Sequence, residues 1–555
     1  MAPNATLSDT IPAVLSAELL PAVLGRWGHG QLIAFSALDG PTAIATDLIA
    51  RTVSDAAGDG IDVVMPGTMR LRFAQRVVEA SLSGDWFSVR LADGATVRGA
   101  LLDHRHLLIQ GPVSLIGTAP ELGVRLAGDR TLIGAAAGFT AGLITSDLPA
   151  AMRARAAWLE RALARLPAAV AQRPVAAKVL AMMKTQVCAP EGVFTSRWTT
   201  PDRWPHRYAY LWDSAFHALA WRHLDPELAL EQLGALLQAQ AAEGFLPHRL
   251  TPDGGTDITQ PPILAWGAAQ VLGLAPDQTW LAWAYPRLTR FLDWVVATRT
   301  VEHGLLAWQT TAIDTCRCDE SGWDNSPRFD RNPSPLAVDL NAFLVREFQV
   351  MAGFAHTLGR NAEAEQWATR ATQLTAAIDT WLWDEQRGLY ADRAPGAAQV
   401  APLRTPAGML PLISGGVTSA RGSRMAALLA DPQVFGTQIP LPSVAAADLE
   451  GLGSVGDMWR GPVWININHQ VVRGLQASGQ RDAAAKLRTA TLAAIERWYE
   501  QTGGIFEFYD PFDRLAPAAM PRKGYNDPSS PYHQVIHDFG WTASCWLDLA
   551  CAPEG

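Results

Sequence analysis

The sequence predicts a mainly α-helical protein led by a β-rich segment. Three observations carry that reading: alternation of apolar and polar residues over roughly 26–145, a change to helical spacing after Ser146, and the chain's length. At 555 residues the chain exceeds what one ordinary core supports, so at least two domains are expected. The boundaries read as 1–145 for an N-terminal β-rich domain, 146–172 for a helical linker and 173–555 for a helical-barrel domain.

The β-rich part is built of short runs: "AIATDLIARTV", "GIDVVM", "WFSVRLADGATVRGALLD", "HLLIQGPVSLIG" and "GVRLAG". Gly, Asp and Pro separate them at the spacing of an antiparallel sandwich. "LADGA" at 91–95 carries an Asp-Gly hairpin signal. No cluster of acids and aromatics occurs in this part. It is therefore expected to pack against the rest and to supply at most a rim loop to any pocket.

After Ser146 the period changes. "SDLPAAMRARAAWLERALARL" opens with a Ser/Asp cap and a Pro in its first turn, then repeats apolar residues at three and four. Helices are predicted over 175–187, 213–223, 226–242, 277–299, 335–358, 361–383, 463–478 and 480–502. About a dozen helices joined by mixed short and long loops suggest helical hairpins arranged in an (α/α)6 barrel. A plain α-solenoid would need a fixed-period repeat, and none is found.

Composition narrows the function. A net charge of −9 lacks the basic face that nucleic acid or an anionic membrane requires. No apolar run is long enough to span a bilayer. The N-terminus, "MAPNATLSDTIPAVLSAELLPAVLG", has no basic n-region, so a cytoplasmic enzyme with reduced thiols is expected. Cys316-Arg-Cys318 lacks zinc-ligand spacing, and no metal is expected. Association into a homo-oligomer is compatible with this composition.

Carbohydrate enters through tryptophan. The chain holds 21 Trp but 8 Tyr, an inversion of the usual order. Trp is an awkward core filler because its N–H wants an acceptor, whereas its flat face suits the C–H face of a sugar ring. A helical protein packing many indoles remains the plain alternative for any single Trp.

Five regions collect the unusual residues, all in loops between helices, where a rigid scaffold presents function. "RYAYLWDSAFHALAW" (207–221) puts Trp212 and Asp213 before a helix, although Asp213 and Ser214 read equally as helix caps. "EGFLPHRL" (243–250) offers His248, and "TDITQPPILAWG" (256–267) offers Gln260, a poor cap at a helix start. "ESGWDNSPRFD" (320–330) gathers Glu320, Asp324 and Asp330 around Trp323. "GDMWRGPVWININHQ" (456–470) and "GIFEFYDPFDRLAP" (504–517) make the fifth region. In the latter, Phe506, Phe508 and Tyr509 surround Glu507, which would have a raised pKa if buried among them; a solvated loop acid is the alternative.

The order of "WDSAFH", "TQPP", "ESGWDNSPRF", "WRGPVWININ", "FEFYDP" and "HDFGWTAS" resembles the motif series of glycoside hydrolase family 63, and more distantly that of the trehalases. The resemblance spans about residues 200–550. It implies an (α/α)6 barrel and hydrolysis of an α-linked sugar with inversion. It also implies Asp324 as general acid and Glu507 as general base, although the base motif reads "EFYDP" here in place of "EYYDP". Sugar-binding positions carried over are Trp212, Asp213, Gln260, Trp323, Trp459 and Arg460, extended by Phe216, His248, Trp464 and Asn466.

The chemistry is coherent with those residues. Inverting hydrolysis needs a protonated acid at the leaving oxygen and a carboxylate activating water on the opposite face, the two roughly 6.5–9.5 Å apart. Trp323 is expected to wall Asp324 and keep it protonated, while Asp213 accepts sugar hydroxyls with Arg460 opposite. No metal or organic cofactor is needed. Two other readings compete: an inverting phosphorylase, which needs phosphate and no base, and a non-catalytic sugar-binding barrel, which would keep the tryptophans but lack one carboxylate.

Overall fold

The computed structural model describes residues 26–309, 318–523, 530, 532 and 535–552. The N-terminal stretch read for targeting, and Cys316, lie outside these.

Eleven strands lead the described chain: β1 (Leu32–Ala34), β2 (Ile49–Asp55), β3 (Gly58–Met65), β4 (Met69–Phe73), β5 (Val77–Ser83), β6 (Trp86–Leu91), β7 (Thr96–Asp103), β8 (His106–Gln110), β9 (Val113–Ile116), β10 (Leu122–Ala127) and β11 (Arg130–Ala135). One sheet runs β1-β2-β3-β4-β9 and the other β10-β11-β8-β7-β6-β5. The predicted run 106–117 divides between them. Gly111, at φ +126°, makes the break, and a Cβ there would come 2.4 Å from the Thr96 carbonyl oxygen. The predicted strand 43–53 begins only at Ile49. Phe73 of one sheet meets Phe87 of the other at 6.3 Å, with Trp27 against both. Each such ring, removed from water, contributes roughly 1.5–3 kcal/mol.

Thirteen helices of α type are described: α1 (Leu148–Leu163), α2 (Ala168–Ala171), α3 (Pro174–Thr185), α4 (Leu211–Leu224), α5 (Pro226–Gln238), α6 (Leu264–Leu272), α7 (Gln278–Arg299), α8 (Val338–Thr357), α9 (Asn361–Trp381), α10 (Ser419–Leu428), α11 (Ile465–Ala477), α12 (Arg481–Thr502) and α13 (Gly540–Cys551). As predicted, Asp147 caps α1, accepting from the Ala150 N–H at 2.9 Å. The supposed linker is a packed element. Leu148, Met152 and Ala156 seal the face of the second sheet formed by Trp86, Ala100, Leu108 and Leu132.

Helical hairpins follow. α4 packs on α5, α8 on α9, and α11 on α12. A second set of contacts links α4 to α6, α6 to α8, α8 to a 3₁₀ helix at Pro406–Ser414, that helix to α11, α11 to α13, and α13 back to α4. Partners of the buried charges fix this arrangement. Asp548 of α13 takes Arg222 of α4 at 2.5 Å and both His469 (2.8 Å) and Arg473 (2.6 Å) of α11. The N-terminal ends of α4, α11 and α13 carry the site described next.

Candidate active site

A cavity of about 110 Å³ opens where these helix starts meet their loops. Of the residues singled out in the sequence, Trp212, Asp213, His248, Gln260, Asp324, Trp459, Trp464 and Glu507 line it. Among the described residues, none of the lining comes from the N-terminal sheets.

The acid-rich loop gives its three carboxylates three separate tasks. Glu320 is buried and bound by Arg299 at the end of α7 (2.5 Å), and it accepts the Gln309 N–H at 2.7 Å. Burial pushes its carboxyl upward, and the guanidinium opposes that without cancelling it. Asp330 pairs with Arg460 at 2.8 Å. Asp324 is the one of the three that faces the cavity, with the Lys523 ammonium 3.3 Å from its Oδ2. The preceding Gly322 turns with φ +73°, and a Cβ there would come 2.4 Å from the Trp212 ring. Only glycine lets the loop pass that indole.

Glu507 enters from a distant part of the chain. Its run forms single bridges, Val463 to Tyr509 and Phe506 to His537. Phe506 and Phe508 are buried beside it as expected, but a guanidinium meets the carboxylate itself. Arg522 donates to it through Nε (2.6 Å) and Nη2 (2.9 Å), a two-point pairing. Burial alone would lower Arg522; Glu507, aided by Asp324 and Asp202, holds it above its ordinary value.

Asp213 is the third cavity carboxyl. The cap reading fails, because Tyr210 stands at the N-cap position without a side-chain cap bond and Asp213 lies inside the first turn. Burial pushes its carboxyl well up, its own backbone N–H opposes this, and the charges of Asp202, Glu507 and Asp324 add to the rise. His248 is lowered to about 3, chiefly by burial with Arg249 adding, so its ring is neutral; Nδ1 meets the Thr256 hydroxyl at 2.6 Å. Gln260 Oε1 accepts the Trp212 N–H at 3.2 Å, tying its loop to α4.

Tryptophan builds the wall in layers. Trp459 lies parallel to Trp464 at 4.0 Å and stacks on Trp323 at 4.4 Å. Trp541 stands edge-on to Trp212 at 5.3 Å and to Trp464 at 5.5 Å.

Four expected positions do not line the cavity. Trp323 is fully buried behind Trp459, with Arg328 on its ring at 4.9 Å, so it does not wall Asp324. Asp324 keeps 22% side-chain exposure and faces an ammonium instead. Arg460 turns to Asp330 and is not set opposite Asp213, because its Nε is also bound to the Gly453 carbonyl at 2.6 Å. Phe216 packs among Trp212, Trp266 and Trp541, and Asn466 is buried in α11 with its Oδ1 on the Ile467 N–H. Sequence reasoning missed His206, Tyr210, Arg249, Arg522, Lys523 and Trp541. Trp541 stood inside the quoted "HDFGWTAS", but nothing about "PRK" at 521–523 distinguishes it from a solvated basic run.

Comparison with known proteins places the chain in a family. Residues 206–542 match the model of the mannosylglycerate hydrolase MGH1-like glycoside hydrolase domain. A mannosylglycerate hydrolase from Thermus thermophilus is 27% identical over 397 residues, covering 56% of this chain and 91% of the relative. A periplasmic trehalase from Escherichia coli is 27% identical over 247 residues, covering 42% of this chain and 40% of the trehalase. The crystal structure of a family 63 mannosylglycerate hydrolase from Thermus thermophilus in complex with glucose aligns at TM-score 0.53 and 25% identity, covering 67% of this chain and 98% of that one. A bacterial glucoamylase with acarbose shares the fold alone, at TM-score 0.60 and 11% identity over 94% of this chain and 95% of that one. With the family model covering well over half of its length, the chain belongs to glycoside hydrolase family 63, has trehalases among its relatives, and is a glycosidase.

Proposed function

We propose that this chain is an inverting glycosidase that cleaves an α-linked glucosyl or mannosyl unit from a small anionic aglycone of the glycerate type. One observation carries the reading: Asp324 and Glu507, from distant parts of the chain, line the same tryptophan-walled cavity. In this reading the helical hairpins form an (α/α)6 barrel over 173–555, with 146–172 joining it to the β-rich domain of 1–145.

Asp324 gives its proton to the glycosidic oxygen as the C1–O bond breaks. Glu507 takes a proton from the water that attacks C1 from the other face. Arg522 supports the second role, since it keeps Glu507 facing a fixed positive charge through two hydrogen bonds. Asp213, whose carboxyl burial favours protonated, offers a donor to a sugar hydroxyl as well as an acceptor. Trp464, and Trp459 stacked between it and Trp323, supply apolar wall for the ring. The anionic aglycone is favoured by Arg249 and Lys523, two further cations on the cavity lining, the second of which also pairs with Asp324 at 3.3 Å.

The test is a screen of the purified protein against α-glucosides and α-mannosides, including the glycerates, with released sugar measured. Turnover that requires phosphate would indicate the phosphorylase instead, and binding without release would indicate a sugar-binding protein.

A further inference from the structure

Among the described residues the N-terminal sheets contribute nothing to the cavity lining, yet one of their side chains reaches the two segments that hold Glu507. Arg51 of β2 is buried, and its guanidinium donates to backbone carbonyls. Nη1 bonds the carbonyls of Gly30 (2.7 Å) and His537 (3.3 Å), and Nη2 bonds those of Asp202 (3.4 Å) and Trp204. The guanidinium also lies 5.5 Å from the Trp204 ring centre. A buried charge whose two Nη groups are both taken by these carbonyls, its Nε having no partner among the described residues, fixes the relative placement of the segments that own them. Burial lowers the Arg51 pKa from its ordinary value, with Asp202 and Asp538 opposing.

Both segments end on the base. From the first, Asp202 accepts the His206 N–H at 2.9 Å and meets its Nδ1 at 2.7 Å. With Nδ1–H donated to the carboxylate, Nε2 is left as an acceptor, and it faces Arg522 Nη2 at 3.3 Å. That same Nη2 donates to Glu507. From the second segment, the Ile536 carbonyl accepts the Glu507 N–H at 3.0 Å, and the Ile536 N–H approaches Glu507 Oε2 at 3.5 Å. Asp538, one residue beyond the carbonyl held by Arg51, is fixed by the Leu32 N–H of β1 at 2.7 Å and by Lys178 at 2.6 Å.

We propose that Arg51 is a positioning residue for the base: it pins the 202–206 loop to the 536–538 segment, and through His206 and Arg522 sets the orientation of the Glu507 carboxylate. This rests on Glu507 being the base, as proposed above. It makes the β-rich domain part of the catalytic apparatus without touching substrate.

The experiment uses the full chain with Arg51→Met, Arg51→Lys and Glu507→Gln as variants. The probe is whichever of 4-nitrophenyl α-mannoside, 4-nitrophenyl α-glucoside and mannosylglycerate the wild type hydrolyses. Misplacing a catalytic group by about 1 Å costs on the order of 10²-fold. Arg51→Met is therefore expected to lose about 10–100-fold in kcat with KM within about twofold, and Arg51→Lys, which can reach fewer carbonyls, to lose less. Added azide separates positioning from general damage. Azide needs no base: its nitrogen bonds C1 as the C1–O bond breaks, and the Asp324 proton goes to the leaving oxygen. It should accelerate Arg51→Met and Glu507→Gln but not the wild type. An inactive Glu507→Gln beside a folded Arg51→Met of wild-type kcat, or one whose lost rate azide does not restore, overturns the positioning role alone. Wild-type turnover by Glu507→Gln removes the assignment of the base instead. Should Arg51→Met not fold, Arg51→Lys, which keeps the charge in place, is read against the same outcomes.

Discussion

Trp459 lies on Trp323 with ring centres 4.4 Å apart, and only the outer of the two indoles reaches the cavity. Trp323 therefore acts through its neighbour. Its Nε1 is buried without a hydrogen-bond partner among the described residues, and Arg328, itself held by Asp339 and Asp392, closes its other side.

Trp323→Ala is expected to cost about 3–5 kcal/mol of stability, as large core aromatics do when truncated. It should raise KM several-fold because Trp459 loses its backing. Thermal unfolding with steady-state kinetics checks this. A drop in kcat with an unchanged KM would mean that the indole acts on Asp324 directly.

Asp324→Asn and Glu507→Gln are each expected to lower turnover by roughly 10²–10⁴-fold; the unfolding midpoint stays near wild type for the first and falls for the second, which leaves the buried Arg522 charge without its carboxylate. Glu320 and Asp510, the nearest other acids in sequence, are otherwise engaged: Glu320 by Arg299, and Asp510 by the backbone N–H groups of Phe512, Arg514 and Leu515. Their substitution should unfold or loosen loops before it touches chemistry. Either cavity variant retaining full turnover would move the acid or the base elsewhere.

What the sequence made legible follows from what each signal reports. Helical period reports burial, so α4, α7, α9 and α12 lie within a few residues of their expected spans. α6 and α13 are apolar nearly all round, which removes the periodic contrast; of α6 only the start, after Gln260 and its prolines, is legible, and α13 goes unread. At the site, motif order located Asp324, Glu507 and the tryptophans. It could not tell which indole faces the cavity and which backs it, because Trp323 and Trp459 are both fully buried and differ only in their place in the stack. Arg460 shows the same limit. It neighbours Trp459 in sequence, but its charge is taken by Asp330 from the loop that also carries Asp324.

Asp213 should reveal itself through the pH dependence of stability. Its carboxyl lies well above the ordinary 3.8 in the folded chain, so the folded state holds the proton more tightly than the unfolded one. The stabilisation is complete below the unfolded value, and it is lost as pH rises toward the folded one. Asp213→Asn, which cannot ionise, should therefore raise the unfolding midpoint relative to wild type by an amount that grows as pH increases from about 4. Melting curves at several pH values check the sign. A difference that shrinks with rising pH would mean that Asp213 is held as a carboxylate.

The stereochemistry of the first product tests the pairing of the two carboxylates as a unit. Asp324 comes from the loop after α7 and Glu507 from the segment after α12; they share one cavity, and the charge of Arg522 is felt by both. If water occupies the space between Glu507 and C1, attack comes from the face opposite the leaving group, and an α-glycoside releases the β-sugar first. Proton NMR within the first minutes, before mutarotation, reads the anomer directly. An initial α-anomer would require a covalent glycosyl-enzyme and thus a nucleophile close to C1. Arg522 argues against Glu507 in that part, because both its carboxylate oxygens already accept guanidinium hydrogens, at 2.6 and 2.9 Å, and a nucleophile so held is blunted. A base that accepts a single proton from water needs only one remaining lone pair, and Oε1, which takes only the Arg522 Nη2 hydrogen, still has one, whereas Oε2 is also approached by the Ile536 N–H.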